Sequence, residues 1–243
     1  DGSGLENLLP VDEVDATYNN FLGFQGFKNG AFWGDYDNDG DPDIFFTHLS
    51  RVQLFNNQGD GTFIEVTTDA GINRDNGCEN TGAVWFDYNN DSYLDLYVVD
   101  WSACTSNTLY KNNGDGTFTD VTSQTQIETS ENLKGYVAFP YDFNNDGWMD
   151  LYLTNDFRKP NQLFINNNGV IFTEEASEYK IDALFNDMGL AIGDYNKDGN
   201  FDFITTTIAN NSLFTGKADG TFEQNSSELG VKNTGWSWGA KCG

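Results

Sequence analysis

The chain has 243 residues, with 38 Asp and Glu against 12 Lys and Arg, for a formal charge of −26. That balance excludes nucleic acid and anionic membrane surfaces as partners, because phosphate binding needs clustered cations, and no apolar run approaches the length of a membrane-spanning helix, so no membrane insertion is expected. Hydrophobic residues make up 38% and aromatic residues 15%, enough for a packed core rather than a disordered chain.

Residues 1–23 hold two apolar stretches, LENLLPV and YNNFLG, which predict one or two strands outside the main pattern. The chain starts at Asp1 without Met or a hydrophobic signal segment, as a processed or trimmed chain would. From residue 24 onward one pattern recurs and predicts a single domain, 24–243. Each period opens with an apolar stretch that begins at a glycine: GAFWG, GAVWF, GYVAFPY and GLAIG. An acidic loop follows, then a second apolar strand (DIFFTHL, DLYVVDW, DLYLTND, DFITTTI), then a hairpin such as QLFNNQGDGTFIEVT. Asn-Gly and Asp-Gly at the hairpin centres supply the positive φ of tight turns. The loops begin at Asp35, Asp87, Asp142 and Asp194, at intervals of 52, 55 and 52 residues. A period of about fifty residues with about four strands predicts an all-β chain built as a β-propeller. Its four complete blades are expected at about 30–80, 81–134, 135–187 and 188–235, with the first strand of a fifth at 236–243.

The loops carry the chemistry. Oxygen-bearing side chains occupy positions 1, 3, 5 and 9: Asp35, Asp37, Asp39 and Asp43 in the first loop, and Asp87, Asn89, Asp91 and Asp95 in the second. The third and fourth offer Asp142, Asn144, Asp146, Asp150 and Asp194, Asn196, Asp198, Asp202. Position 7 is Asp41, Tyr93, Trp148 and Asn200, a mixture that suits ligation through the backbone carbonyl. Alternating oxygens without His or Cys specify a hard cation, Ca2+ before Mg2+, about four ions in all. Position 6 is Gly40, Gly147 and Gly199, where the chain must turn sharply, but Ser92 in the second loop. An EF-hand is excluded, because position 12 holds Phe46, Val98, Leu153 and Thr205 in place of a glutamate.

The pattern D-x-[DN]-x-D-G-x-x-D between two strands, followed by LFxNxGDGTF, resembles the FG-GAP/VCBS repeat family, known from integrin α subunits and from secreted bacterial proteins. The resemblance spans about residues 24–243. It implies a Ca2+-stabilised propeller with one ion per blade, held between the first two strands. It implies no activity, since the scaffold serves adhesion, enzyme accessory and structural roles alike.

The remaining candidates are individually weak. His48 is the only histidine and reads as a strand-end residue; no nucleophile motif or phosphate loop accompanies it. Trp33, Trp85, Trp236 and Trp238 are expected to pack between blades, whereas Trp101 and Trp148 either stack on sugar rings or cover blade edges. Cys78 and Cys104 flank one repeat and either form a disulfide or stay as thiols, and Cys242 reads as a small apolar strand residue. Asn90, Asn210 and Asn225 open glycosylation sequons. The expectation is therefore an extracellular, secreted or cell-surface module without enzyme activity, used for adhesion, binding or structure, with a carbohydrate or a surface protein as ligand. The alternative is a carbohydrate-active enzyme, a polysaccharide lyase or hydrolase, or its binding module. Either the sequence is part of a longer propeller or residues 1–23 add a strand to a neighbouring copy, giving the homo-oligomer or filament expected here.

Overall fold

A computed structural model of the chain describes residues 28–48, 51–74, 79–101, 107–127, 133–208 and 210–233. The expected exchanged strand in residues 1–23, the partial blade at 236–243, Trp236, Trp238 and the three cysteines lie outside the described residues.

Four antiparallel four-stranded sheets follow one another along the chain, each a simple meander. Sheet 1 holds β1 (Lys28–Gly34), β2 (Asp43–His48), β3 (Val52–Asn57) and β4 (Phe63–Glu65). Sheet 2 holds β5 (Asn80–Phe86), β6 (Asp95–Asp100), β7 (Thr108–Asn112) and β8 (Phe118–Asp120). Sheet 3 holds β9 (Gly135–Tyr141), β10 (Asp150–Asn155), β11 (Gln162–Asn167) and β12 (Ile171–Glu174). Sheet 4 holds β13 (Gly189–Gly193), β14 (Asp202–Thr206), β15 (Ser212–Gly216) and β16 (Phe222–Gln224). The first strands β1, β5, β9 and β13 lie side by side in that order, so the sheets radiate outward like propeller blades. Two helical turns that the sequence pattern did not signal, α1 (Thr122–Thr125) and α2 (Ala176–Tyr179), link sheets 2 to 3 and 3 to 4.

Register explains why the second strands read as continuous apolar runs. Successive residues of a strand face opposite sides of its sheet, and both sides here are buried. Cross-strand rows therefore alternate: Phe32–Phe45–Leu54 on one face of sheet 1, Trp33–Ile44–Phe55 on the other. Sheet 2 repeats this with Val84–Tyr97–Leu109 and Trp85–Leu96–Tyr110. Between sheets 1 and 2, Phe45 and Leu54 pack on Leu96, Val98, Tyr110 and Phe118. Between sheets 2 and 3, Tyr97, Val99 and Leu109 meet Leu151, Leu153, Phe164 and Phe172. Between sheets 3 and 4, Tyr152, Leu163 and Ile165 meet Phe203, Phe214 and Phe222.

The two inner-strand tryptophans have different fates. Trp85 packs between sheets as expected: it stacks on Tyr36 at 6.2 Å and donates Nε1–H to the Phe32 carbonyl at 3.2 Å. Trp33 occupies the same register position but is 57% exposed, touching Phe63 edge-on. Its row faces away from sheet 2, and although Ile44 and Phe55 of that row are buried with Phe46 and Phe63 against them, the Trp33 ring at its end is not. Replacing Trp85 with Ala should cost about 3 kcal/mol, the usual scale for removing a large packed aromatic, and Trp33→Ala less than about 1 kcal/mol. Equilibrium urea unfolding of both variants checks the difference, and equal losses would contradict this packing.

Candidate metal centre

Each acidic loop joins the first strand of a sheet to the second, and all four close in the same way. In loop one the Asp35 oxygens accept the amides of Asp39 and Gly40 at 3.1 and 3.0 Å, while Asp37 accepts Asp39 N–H at 3.3 Å. Asp39 in turn accepts the Asp41 amide at 2.8 Å. These short-range bonds wind the chain so that one oxygen from each of Asp35, Asp37 and Asp39 lies within 4.8 Å of the others. Loops two, three and four repeat every bond, through Asp87, Asn89 and Asp91, Asp142, Asn144 and Asp146, and Asp194, Asn196 and Asp198. Gly40 makes the turn at φ +93°, a conformation that glycine adopts without steric cost. Ser92 holds the same turn at φ 70° and keeps the bond to Asp87, so the sequence departure changes the strain and not the shape.

Position nine differs in kind. Asp43, Asp95, Asp150 and Asp202 open the second strands and are essentially without solvent exposure. One oxygen of each accepts the amide at position two, from Tyr36, Tyr88, Phe143 and Tyr195 at 2.8–3.1 Å. The other accepts an amide from the third strand, from Asn57, Asn112, Asn166 and Gly216 at 2.8–2.9 Å. No ion pair reaches any of the four among the described residues. Burial pushes Asp43 and Asp150 up to about 6 and Asp95 up to about 7, against the pull of the two amide bonds, and raises Asp202 as well. The donor set of clustered carboxylate and amide oxygens around a buried acid fits a hard cation. Positions 1, 3, 5 and 9 would hold it, with the carbonyls of Asp41, Tyr93, Trp148 and Asn200.

The loops are tied to one another by contacts with no clear sequence signal. Asn112, the Asn of the LFxN motif in sheet 2, donates to the Tyr36 carbonyl of loop one at 2.7 Å; Asn166 does the same to Tyr88 of loop two at 2.8 Å. At position four, Asn38 donates to the Ser92 carbonyl and Asn90 to the Gly147 carbonyl, each reaching the turn of the next loop. In the fourth sheet Gly216 stands where Asn112 and Asn166 stand, so that clamp is missing there. Position seven also does more than offer a carbonyl. Tyr93 and Trp148 cover Gly114 and Gly169 of the adjoining hairpins: a Cβ at Gly169 would clash with the Trp148 ring, and one at Gly114 would press tightly on Tyr93. Lys111 pairs with Asp91 across 3.6 Å and so competes for a ligand of loop two.

Other sequence candidates find structural roles. His48 ends β2, and Trp101 donates its indole N–H to Asp156 at 3.1 Å. Asn225 gives its amide to Thr215 at 2.8 Å and Asn90 gives its own to Gly147, so both sequon amides are engaged; Asn210 is half-buried.

A sequence profile described as FG-GAP-like repeat matches three times, over residues 35–98, 87–153 and 142–205. Each match runs from one acidic loop through the second strand of the next sheet. No curated protein sequence matches the chain. Among solved structures, a lectin of Agrocybe aegerita described as specifically recognising non-reducing terminal N-acetylglucosamine is similar at 20% identity and TM-score 0.50, over 88% of this chain and 55% of that one. BBS1N, solved in complex with ARL6DN and soaked with lead, is similar at 10% identity and TM-score 0.51, over 84% and 57%. The chain thus spans little more than half the length of these two structures, and the likeness establishes the fold.

Because Asp43, Asp95 and Asp150 hold protons more tightly folded than their ordinary value of 3.8 would give, their protonated forms favour the fold. That contribution is complete below about pH 4 and is lost as pH rises through 6 to 7. In chelator the melting temperature should therefore fall between pH 5 and pH 8, and the gain on adding Ca2+ should be larger at pH 8. Calorimetric melts across that range check it; a chelated protein most stable at pH 8 would contradict it.

Proposed function

The chain belongs to the FG-GAP-like repeat family, and from that premise we propose that it is an extracellular, calcium-stabilised β-propeller module that binds or builds rather than catalyses. The observation that carries the reading is the set of position-nine aspartates, buried carboxylates whose bonded partners are amides and never a cationic side chain. Burying an ionised carboxylate without compensation is expensive, and one divalent ion per loop supplies the compensation. Calcium at extracellular concentration suits sites of this kind, which often bind in roughly the 10⁻⁴–10⁻³ M range. A non-enzymatic role is supported by the place of the regular carboxylates in the loops, where backbone amides already engage them. A saccharide ligand is the narrower form of the proposal, in keeping with a fold shared with a lectin.

Assembly of copies belongs to the same proposal. Sheet 1 leaves the Trp33 ring exposed at the register position where Trp85 is covered by the neighbouring sheet, and contact with a second copy would cover it. Light scattering of the calcium-loaded protein should show a multiple of 27.1 kDa; a monodisperse monomer would count against it.

Removing calcium should lower the melting temperature, and Ca2+ should restore it better than Mg2+. At tenfold excess over its Kd each independent site contributes about 1.4 kcal/mol. An unchanged melt, with metal removal confirmed by elemental analysis, would overturn the proposal. Loop one should hold its ion more firmly than loop two, where Asn89 replaces a carboxylate, Ser92 replaces glycine and Lys111 competes for Asp91. In calcium titrations Asp39→Ala should therefore lose more binding energy than Asp91→Ala; the reverse order would contradict this ranking.

A further inference from the structure

The four acidic loops carry unequal charge. Loop one has five carboxylates, Asp35, Asp37, Asp39, Asp41 and Asp43, whereas each of the other loops has three. What reaches each loop from its own third strand also differs. Register places Asn56, Lys111, Ile165 and Thr215 at one equivalent position, opposite Ile64, Thr119, Thr173 and Glu223 of the fourth strands. Asn56 Nδ2 donates to Asp37 Oδ2 at 2.7 Å in loop one, and Lys111 Nζ lies 3.6 Å from Asp91 Oδ2 in loop two. Ile165 is buried in the core between sheets 3 and 4 and offers no polar group, while the Thr215 hydroxyl meets the Tyr195 hydroxyl at 3.0 Å beside loop four.

The position-five carboxylate is where loop two stands apart. In all four loops one of its oxygens accepts the amide at position seven, which leaves Oδ2 as the oxygen free to take a cation. In loops three and four the loop itself holds that oxygen: Asn144 Nδ2 donates to Asp146 Oδ2 at 2.9 Å, and Asn196 Nδ2 to Asp198 Oδ2 at 2.8 Å. In loop two Oδ2 of Asp91 faces Lys111 instead. Among the described residues this is the one ion pair that any loop ligand makes. Loop two is also the middle of the connected row, since Asn38 of loop one donates to its Ser92 carbonyl and its own Asn90 donates to the Gly147 carbonyl of loop three.

We propose that Lys111 is a built-in counter-cation for loop two: it holds the loop closed while no metal is bound and gives up Asp91 when calcium binds. Loop two is then the part of the row that depends least on calcium, and it binds calcium most weakly. This regulation of the metal centre rests on the reading of the loops as calcium sites. Both side chains are partly exposed, 39% and 34%, so solvent and salt weaken the pair. Its effect is therefore a change of a few-fold in affinity.

The test compares two variants of the full chain, Lys111→Met, which keeps the aliphatic stem, and Lys111→Arg, which keeps the charge. In chelator at low salt Lys111→Met should melt below the parent and Lys111→Arg close to it, and the gap should shrink as salt rises. In saturating calcium Lys111→Met should melt at or above the parent, a reversal that simple loss of packing would not produce. Calorimetric titration should show one site tightened about threefold in Lys111→Met, the scale of a partly exposed ion pair. That gain should persist when loop one is disabled by Asp35→Asn and vanish when loop two is disabled by Asp87→Asn. Unchanged calcium affinity in Lys111→Met, an equal loss of melting temperature with and without calcium, or a gain that survives Asp87→Asn would overturn the proposal. A parent that binds calcium beside an unaffected Lys111→Met defeats this inference alone, whereas a parent that binds none defeats the calcium reading and this inference with it.

Discussion

One buried carboxylate per repeat organises this protein. Asp43, Asp95, Asp150 and Asp202 each stand where the acidic loop enters the second strand, and each bonds the loop's second amide with one oxygen and a third-strand amide with the other. Loop, second strand and third strand are thereby held by a single side chain. The carboxylate needs compensation because it is buried, and it is buried because inter-sheet aromatics such as Tyr36 and Tyr88 close over it. Two amide donors soften the cost of its charge without removing it, as the raised pKa shows. A cation in the loop would remove it, which links the chemistry of the loop to the stability of the whole sheet.

The sheets then pass that order along the chain. Asn112 and Asn166 reach from a third strand back to the loop of the preceding sheet, and Asn38 and Asn90 reach from one loop to the turn of the next. The first three loops therefore form a connected row, whereas Gly216 interrupts the clamp on the fourth side. Apolar rows on both faces of each sheet supply the bulk of the stabilisation, and the polar clamps fix how one sheet is set on the next.

Much of this was legible in the sequence because the signals are local and repeated. Asp-x-Asp spacing, the turn glycine and Asn-Gly hairpins all act within about ten residues, and four copies in register mark the loops and the four described sheets together. What was not legible depends on a neighbour distant in sequence. Trp33 and Trp85 sit in the same local pattern, yet one is capped by an adjacent sheet and the other is not. The position-four asparagines look like ordinary turn residues until the next loop is set beside them. Position seven was read only for its carbonyl, since nothing nearby shows that Tyr93 and Trp148 cover hairpin glycines about twenty residues downstream. Helical turns α1 and α2 are too short for a periodic signal, and the positive φ of Phe157 and Arg158 has no glycine to mark it.

The acidic loops stand in a row at one end of the strands, about 20 Å along β10 from its other end. The central claim concerns the acidic end, and long-wavelength diffraction from crystals grown with calcium tests it most directly. The account predicts an anomalous peak in each loop, with oxygens of Asp35, Asp37, Asp39 and Asp43, or their counterparts, at about 2.3–2.6 Å. Loops that hold only water under those conditions, with Asp43 still buried, would contradict it.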